Sequence, residues 1–454
     1  MYEYLEKNDL IHPNHHGFLK NCSTATALQQ LYDVWMKQLD DGKLAAALFL
    51  DLSAGFDVVD HSLLLQKFSH YGFSTSTVQW FRSYLIRRSQ CVQVESRISE
   101  PLPVPWGVPQ GSILGPLLFL IFINELAEVV KNEDTEVDRD DDADVIIYAD
   151  DNTPTTADCD PEKLEEKIQA KASLVTAWFS SNHMVCSGDK TKLLVIGTAA
   201  NRSNRIVKEG KIMQVVVEGN IKTESASEKL LGLVVNNIGT WRNHLEGDDD
   251  NQGLLPLLSK RVGILRRLRM YLPDTRFRII VNGLFNSKLI YGITVWGGVW
   301  GLQGYDEETR KGIAFTKEDL RKLQVLQNKV MRLMTGMDPD TSTAQLCSLT
   351  NQLSVHQLTA YHSVNQVHKI YYKQKPSYHY NRLFGQRHDI TTRGVASMQA
   401  RVDFDLSLAR TSFFYQSSRL WNQLPMNMKS NSNYDNFKKK TRVWVKSNIG
   451  IRPP

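Results

Sequence analysis

Two apolar runs that each end abruptly in carboxylates limit what this chain can become. Residues 44–50 (LAAALFL) stop at Asp51, and residues 145–148 (VIIY) pass through Ala149 into Asp150 and Asp151. A short uninterrupted apolar run reads as a strand buried on both faces. An ionised carboxylate at the exit of such a strand costs several kcal/mol to bury unless something compensates it. A cation therefore belongs where these strands end. Three carboxylates there make a hard oxygen donor set suited to Mg²⁺, which keeps positions open for phosphate oxygens. Each piece alone has a plainer reading, since Asp-Asp is common hairpin chemistry and Asp often caps a helix.

The surrounding pattern alternates helices with these strands. Residues 24–39 place apolar side chains at helical spacing after a Ser23/Thr24 start that can cap the helix, and residues 63–68 and 78–86 are also helical in pattern. Residues 90–104 alternate enough for strands closed by Pro101, Pro103 and Pro105. The apolar stretch 113–130 predicts one buried helix, and Pro161 opens another whose apolar positions run from Leu164 to Phe179. Residues 192–197 and 229–235 read as strands. From about Leu254 the chain is mainly helical and more basic, with a further helix at 316–335, aromatic clusters at Phe413 to Tyr415 and Trp421, and a basic end from Lys438 to Lys446.

Composition narrows the classes. A chain of 454 residues with 42% hydrophobic content supports several compact units, and a formal charge of +5 leans only mildly toward polyanionic partners. The five cysteines, Cys22, Cys91, Cys159, Cys186 and Cys347, form no CxxC pair and no zinc-spaced cluster, so they read as free thiols. The first residues lack a secretory signal, and the longest apolar run, residues 117–123, is far short of the roughly 20 residues needed to cross a bilayer. These features predict a soluble intracellular protein without membrane partners. The acidic run 133–144 imitates a calcium loop. However, Ala143 stands where the required Gly would be and Ala149 where Glu would be, which excludes an EF-hand.

Three segments in order, FLDLSAGFDVVDH (49–61), GVPQGSILGPLLFLIFINEL (107–126) and YADD (148–151), resemble palm motifs A, B and C of reverse transcriptases. HHGFLKNCSTATAL (15–28), WFSSNHMVCSGDKT (178–191) and LLGLVVNNIGTWRNHL (230–245) are similar to segments around the palm of jockey-like non-LTR retrotransposon polymerases. KLIYGITVWG (288–297), LQNKVMRLMTG (326–336) and SSRLWNQLP (417–425) resemble their thumb and C-terminal extension more weakly. The resemblance implies an α/β (α+β) right-hand polymerase. Its partial fingers and palm would occupy residues 1–235, a helical thumb 236–336, and a mainly helical C-terminal extension 337–454.

Carried over residue by residue, the resemblance implies that Asp51 and Asp150 ligate two Mg²⁺ ions, for which Mn²⁺ can substitute, with Asp151 as second member of the carboxylate pair. Two such ions activate an attacking 3′-hydroxyl and stabilise the departing pyrophosphate. Phe56 occupies the aromatic gate against a ribonucleotide 2′-hydroxyl, and Gln110 and Gly111 lie in the loop near template and incoming nucleotide. Tyr148 packs near the primer end, and Lys190 is placed to protonate pyrophosphate as a general acid. Leu231, Gly232 and Trp241 to His244 correspond to a primer grip. Arg261, Arg266, Arg267, Arg269, Arg276 and Arg278 would track the phosphates of a template-primer duplex. The implied partners are an RNA template, a DNA primer and dNTPs, and nuclear location is a family expectation.

The sequence departs from the family pattern at Leu19, where Arg is usual, at Gly55, where Ala is common, and at Ser187, where Asn is usual. Only 14 residues precede the HHGF segment, so contacts from further fingers sequence are expected to be lacking. With no endonuclease segment in view, target cleavage would come from another region or chain. Two rival expectations stand beside the RNA-directed DNA polymerase. One is a truncated, catalytically impaired remnant that binds nucleic acid without extending a primer, and the other is an RNA-templated RNA polymerase, against which Phe56 argues.

Overall fold

The computed structural model describes the chain except for Ser53, 132–143, Glu209, 299–315, 386–397, 401–411 and 452–454. It is mixed α/β and mostly helical, and divides into two compact units. The first comprises Met1–Ala27, Leu44–Val195 and Arg202–Ser225, and the second Leu28–Lys43, Ile196–Asn201 and Ala226–Pro454.

The first unit is built on a four-stranded sheet. Its strands are β1 (Leu44–Asp51), β2 (Val145–Tyr148), β3 (Asp151–Asp158) and β4 (Lys192–Ile196), in the spatial order β2-β3-β1-β4. Both carboxylate-terminated apolar runs are strands of this one sheet, and β3 lies antiparallel between them. The sheet's inward faces join Leu118 to Ile123, Ile168, Val175 and Phe179 in a single apolar core. The helix Pro161–Ser181 starts on an Asp160 cap and covers this core with Leu164, Ile168, Ala172 and Val175. Lys171, on the same helix, is 1% exposed; its ammonium bonds the Asp144 carboxylate and the Thr155 carbonyl, so a buried charge is paired.

Two sequence expectations need correction. The apolar stretch 113–130 forms two helices, Gly115–Ile123 and Leu126–Val129. The break falls at Asn124, whose side chain accepts from His12 N–H at 2.9 Å and donates to Leu10 O and Tyr71 Oη at 2.8 Å, and at Glu125, which takes Lys67 Nζ at 2.5 Å. Residues 229–235 are not one strand but parts of a hairpin, Ser227–Leu230 with Leu233–Asn236. It turns at Leu231 and Gly232, both at positive φ, as tight hairpin turns require. The strand β3 goes beyond those expectations, since no apolar pattern predicts an element there. The alternating segment after Arg88 proves to be two-residue pairings, Ser89–Gln90 with Leu102–Pro103 and Gln93–Val94 with Arg97–Ile98. The acidic run lies, apart from Asp144, outside the described residues.

The second unit is helical beyond its hairpin. The helix Lys317–Thr335 begins in a reciprocal capping box between Thr316 and Asp319. Ser354 with Gln357 does the same for Val355–Lys373. Val355–Lys373, Phe413–Asn422 and Tyr434–Asn448 share a core with Trp421, Phe414 and Phe437. Asp33, with no exposed side-chain surface, is held by Arg382 Nε and Tyr378 Oη, each at 2.9 Å. Among the described residues, no helix is long and apolar enough to cross a membrane.

Candidate active site

The antiparallel register sets the site. In the β1–β3 pairing Asp51 stands directly opposite Asp151, and in the β2–β3 pairing Tyr148 stands opposite Asp151. Ala149 and Asp150 form the two-residue turn between β2 and β3, with Ala149 at φ +59°. The fold thus brings Asp51, Tyr148, Asp150 and Asp151 to one end of one sheet. The Asp151 carboxyl is pushed up to about 6, first by loss of solvent around it and then by the negative charges of Asp150 and Asp51. Such mutual repulsion is what a cation among these oxygens relieves. Among the described residues, no three His, Cys, Asp or Glu side chains are gathered tightly enough to hold a metal as they stand. The donor set nevertheless has the hard, oxygen-only chemistry that Mg²⁺ takes.

Lys190 reaches the same place from the segment after helix Pro161–Ser181. Its Nζ is 3.0 Å from Asp51 Oδ2, although the side chain is 68% exposed. This segment is tied to the end of β1: Leu52 pairs with Cys186, and Ser187 N–H donates to Asp51 O at 2.9 Å. Thr191 Oγ1 donates to Ser187 O at 2.9 Å, closing the turn that carries Lys190. Ser187, the departure from the usual Asn, takes part in these contacts through its backbone.

The loops bearing Phe56 and Gln110 are locked together. Val108 N–H donates to Phe56 O and Gly107 N–H to Val59 O, both at 2.8 Å. A Cβ at Gly107 would lie 2.6 Å from Asp57 O, so glycine permits this approach. Gln110 Nε2 donates to both Asp57 carboxylate oxygens, at 2.8 and 3.0 Å. Phe56 is half-buried, stacked on Phe119 at 4.3 Å between centroids and met edge-on by Phe18 at 5.7 Å. Gly111 has φ +75° and open space where a side chain would be.

Sequence reasoning did not single out three further contributors. Asp60 caps the helix His61–His70 and also receives His183 Nδ1 at 3.0 Å. Burial works against its ionisation, but hydrogen bonds from Leu63 N–H, His183 and Ser62 N–H outweigh that and hold its carboxyl below the ordinary range. His61 Nε2 lies 2.7 Å from Gly107 O, joining the same two loops. The HHGF segment runs along β2, where His15 pairs in parallel with Ile147 and His16 N–H donates to Ile147 O at 2.8 Å. Gly17 then sits directly against the Ala149–Asp150 turn: a Cβ there would lie 2.4 Å from Ala149 N and 3.2 Å from Tyr148 C. Its sequence signal was a glycine after two buried histidines, legible only through the family resemblance.

In the second unit, the implied primer-grip residues Leu231 and Gly232 rest on Tyr291, whose hydroxyl donates to Leu231 O at 2.6 Å. His244 is buried, and its pKa falls to about 4 because burial, followed by Lys229, disfavours the charged ring. The basic helices divide in role. Arg261 bonds the Leu284 carbonyl, and Arg269 is held by Leu333 O and Asp274. Arg266, Arg267, Arg276 and Arg278 are exposed and make no ion pair among the described residues.

The family model described as reverse transcriptase (RNA-dependent DNA polymerase) matches residues 1–235. The RNA-directed DNA polymerase from mobile element jockey of Drosophila melanogaster is 24% identical over 327 residues, covering 70% of this chain and 31% of that protein. The probable RNA-directed DNA polymerase from transposon BS of the same organism is 26% identical over 331 residues, covering 71% and 32% respectively. The chain thus spans about a third of the length of these curated relatives. A solved structure of telomerase from Candida albicans with a fragment of telomeric RNA aligns at a TM-score of 0.37 and 12% identity, covering 78% of this chain and 52% of that one, which is too slight a likeness to define the fold. The match over residues 1–235, more than half the chain and inclusive of every carboxylate of the site, means that the chain belongs to the reverse transcriptase (RNA-dependent DNA polymerase) family.

Proposed function

We propose that this chain is the polymerase portion of a jockey-like non-LTR retrotransposon protein, adding dNTPs to a DNA 3′ end along an RNA template. The observation that carries this reading is the register that sets Asp51 opposite Asp151, with Asp150 in the adjoining turn. Asp51 and Asp150, with Asp151 beside them, would hold two Mg²⁺ ions. When bound, these supply activation of the 3′-hydroxyl and neutralisation of charge on the transferred phosphate.

The chain's own residues do the positioning. Phe56 presents a ring fixed by Phe119 and Phe18 where a ribose 2′-hydroxyl would collide with it. The Gln110–Asp57 bonds fix the loop that faces template and incoming nucleotide. Tyr148 adjoins the carboxylate pair for contact with the primer end. Lys190, exposed and at the rim of the carboxylates, is placed to give a proton to the departing pyrophosphate oxygen. Arg266, Arg267, Arg276 and Arg278 form a thumb surface for duplex phosphates. In this reading residues 1–235 supply partial fingers and palm, 236–336 the thumb, and 337–454 the extension, while target cleavage comes from another region or chain.

Primer extension on an RNA template with Mg²⁺ and dNTPs, run beside Asp150→Asn, tests the proposal. Extension by the wild type alone supports it. Tight template-primer binding with no extension by either protein favours the impaired remnant, and ribonucleotide use indifferent to Phe56→Ala favours an RNA polymerase.

A further inference from the structure

Away from the carboxylates, the helix Thr75–Leu85 carries a surface aromatic pair, an exposed Trp80 and a half-buried Tyr84. Trp80 is 55% exposed, and its ring lies nearly parallel to that of Tyr84, with 5° between planes and 6.1 Å between centroids. One turn further, the Arg88 guanidinium sits 5.3 Å from the Tyr84 ring centroid and donates to Tyr84 O at 3.3 Å. The pair is firmly rooted. Trp80 meets Phe81 edge-on at 4.9 Å, and Phe81 stacks on core residue Phe68 at 4.4 Å. Ser74 caps the helix start.

The charge around the pair is one-sided. Between Asp60 and Glu95 the sequence has no carboxylate, but it has Lys67, Arg82, Arg87 and Arg88. Lys67 is taken up by Glu125, whereas Arg82, Arg87 and Arg88 are exposed and make no ion pair among the described residues. An apolar protein partner would be served by the rings alone. The parallel rings, the stacked guanidinium and the unopposed cations together match a ligand with flat faces and a polyanionic backbone.

We infer that Trp80, Tyr84 and Arg88 form a docking ledge for single-stranded nucleic acid, on which unpaired bases stack while Arg82 and Arg87 meet the backbone phosphates. Stacking is tolerant of sequence because every base offers a π face, so the ledge retains a strand without reading it. Naming RNA as the natural occupant rests on the polymerase reading; the ledge itself uses none of the catalytic residues.

The test measures binding of a fluorescent, unstructured RNA oligonucleotide by anisotropy at fixed salt, with heparin as a polyanion that lacks bases. Trp80→Ala and Tyr84→Ala are each expected to weaken oligonucleotide binding by roughly ten-fold, Trp80→Phe to recover most of it, and heparin binding to stay near the wild-type value. Photocrosslinking to the peptide containing Trp80 and Tyr84 is expected as well. Unchanged oligonucleotide affinity in folded variants, or an equal loss of heparin binding, overturns the inference. Primer extension measured beside ledge binding separates the two proposals. A chain that binds through the ledge but never extends a primer retains the ledge and loses the polymerase reading, whereas one that extends normally with indifferent ledge variants does the reverse.

Discussion

Gly17→Ala places one methyl group against the backbone of the Ala149–Asp150 turn. The added Cβ would sit 2.4 Å from Ala149 N, 3.1 Å from its Cα and 3.2 Å from Tyr148 C. Ordinary carbon contacts begin near 3.5 Å, so one or other segment must move by about 1 Å. Neither yields freely, because His16 N–H is bonded to Ile147 O and β2 is fixed by its register with β3. Overpacking of this kind costs roughly 1–3 kcal/mol. If the Ala149–Asp150 turn takes the displacement, the proposed reaction slows by on the order of 10²-fold, the usual penalty for a reacting group misplaced by about 1 Å. Thermal unfolding and single-turnover primer extension separate the two components. We expect a modest fall in Tm with a much larger loss of rate at a temperature where the variant is folded. A folded Gly17→Ala protein that extends primers at the wild-type rate refutes the claim that the HHGF segment positions the Ala149–Asp150 turn.

Other consequences can be checked in the same preparations. Phe56→Ala removes the fixed ring and should raise ribonucleotide incorporation relative to dNTPs by roughly ten-fold or more; an unchanged ratio in a competition assay removes Phe56 from discrimination. A Cβ at Gly55 would come no nearer than 3.4 Å to any heavy atom outside its chain neighbours, its nearest contacts being Leu52 and Phe119 carbons. Gly55→Ala should therefore raise stability by about 0.4–1 kcal/mol in denaturant melts, and a clear loss would contradict the packing described. Burial first, then His16 and His12, lower the His15 pKa to about 3. Since the unfolded ring titrates near 6.5, below that pH the unfolded chain binds a proton the native chain refuses, and stability falls from about pH 6.5 toward pH 3. His15→Phe should flatten part of that slope, and an unaltered slope would show that His15 is not its source.

The sequence exposed the carboxylate-ended strands because both are apolar runs with an abrupt polar stop. It hid β3, the strand that aligns them. Residues 152–156 contain no apolar run, and Pro154 argues against an interior strand. The buried polar side chains there are Asn152, Thr153 and Thr155, and two of them bond main chain: Thr155 Oγ1 donates to Ala46 O and Asn152 Nδ2 to Asp150 O, both at 2.9 Å. Hydropathy cannot see a strand whose burial rests on hydrogen bonds. The hairpin turn at Leu231–Gly232 was equally hidden, because Leu at positive φ carries no local signal. The family resemblance suggested Lys190 and Gln110, but their partners Asp51 and Asp57 are long-range and emerge only once the loops close. Among the arginines after Leu254, composition could not separate Arg261 and Arg269, which hold carbonyls of the fold, from the exposed four.

The central claim is that carboxylates at this sheet end carry out RNA-directed DNA synthesis. Its most direct measurement is single-turnover addition of one dNTP to a recessed DNA primer on RNA, by wild type and by Asp51→Asn, with template-primer affinity measured in parallel. The account predicts addition by the wild type, a loss of at least roughly 10³-fold in the variant, from the order of magnitude at stake in transition-state charge stabilisation, and little change in affinity. Equal addition by both proteins, or none by a wild type that binds the template-primer tightly, contradicts it.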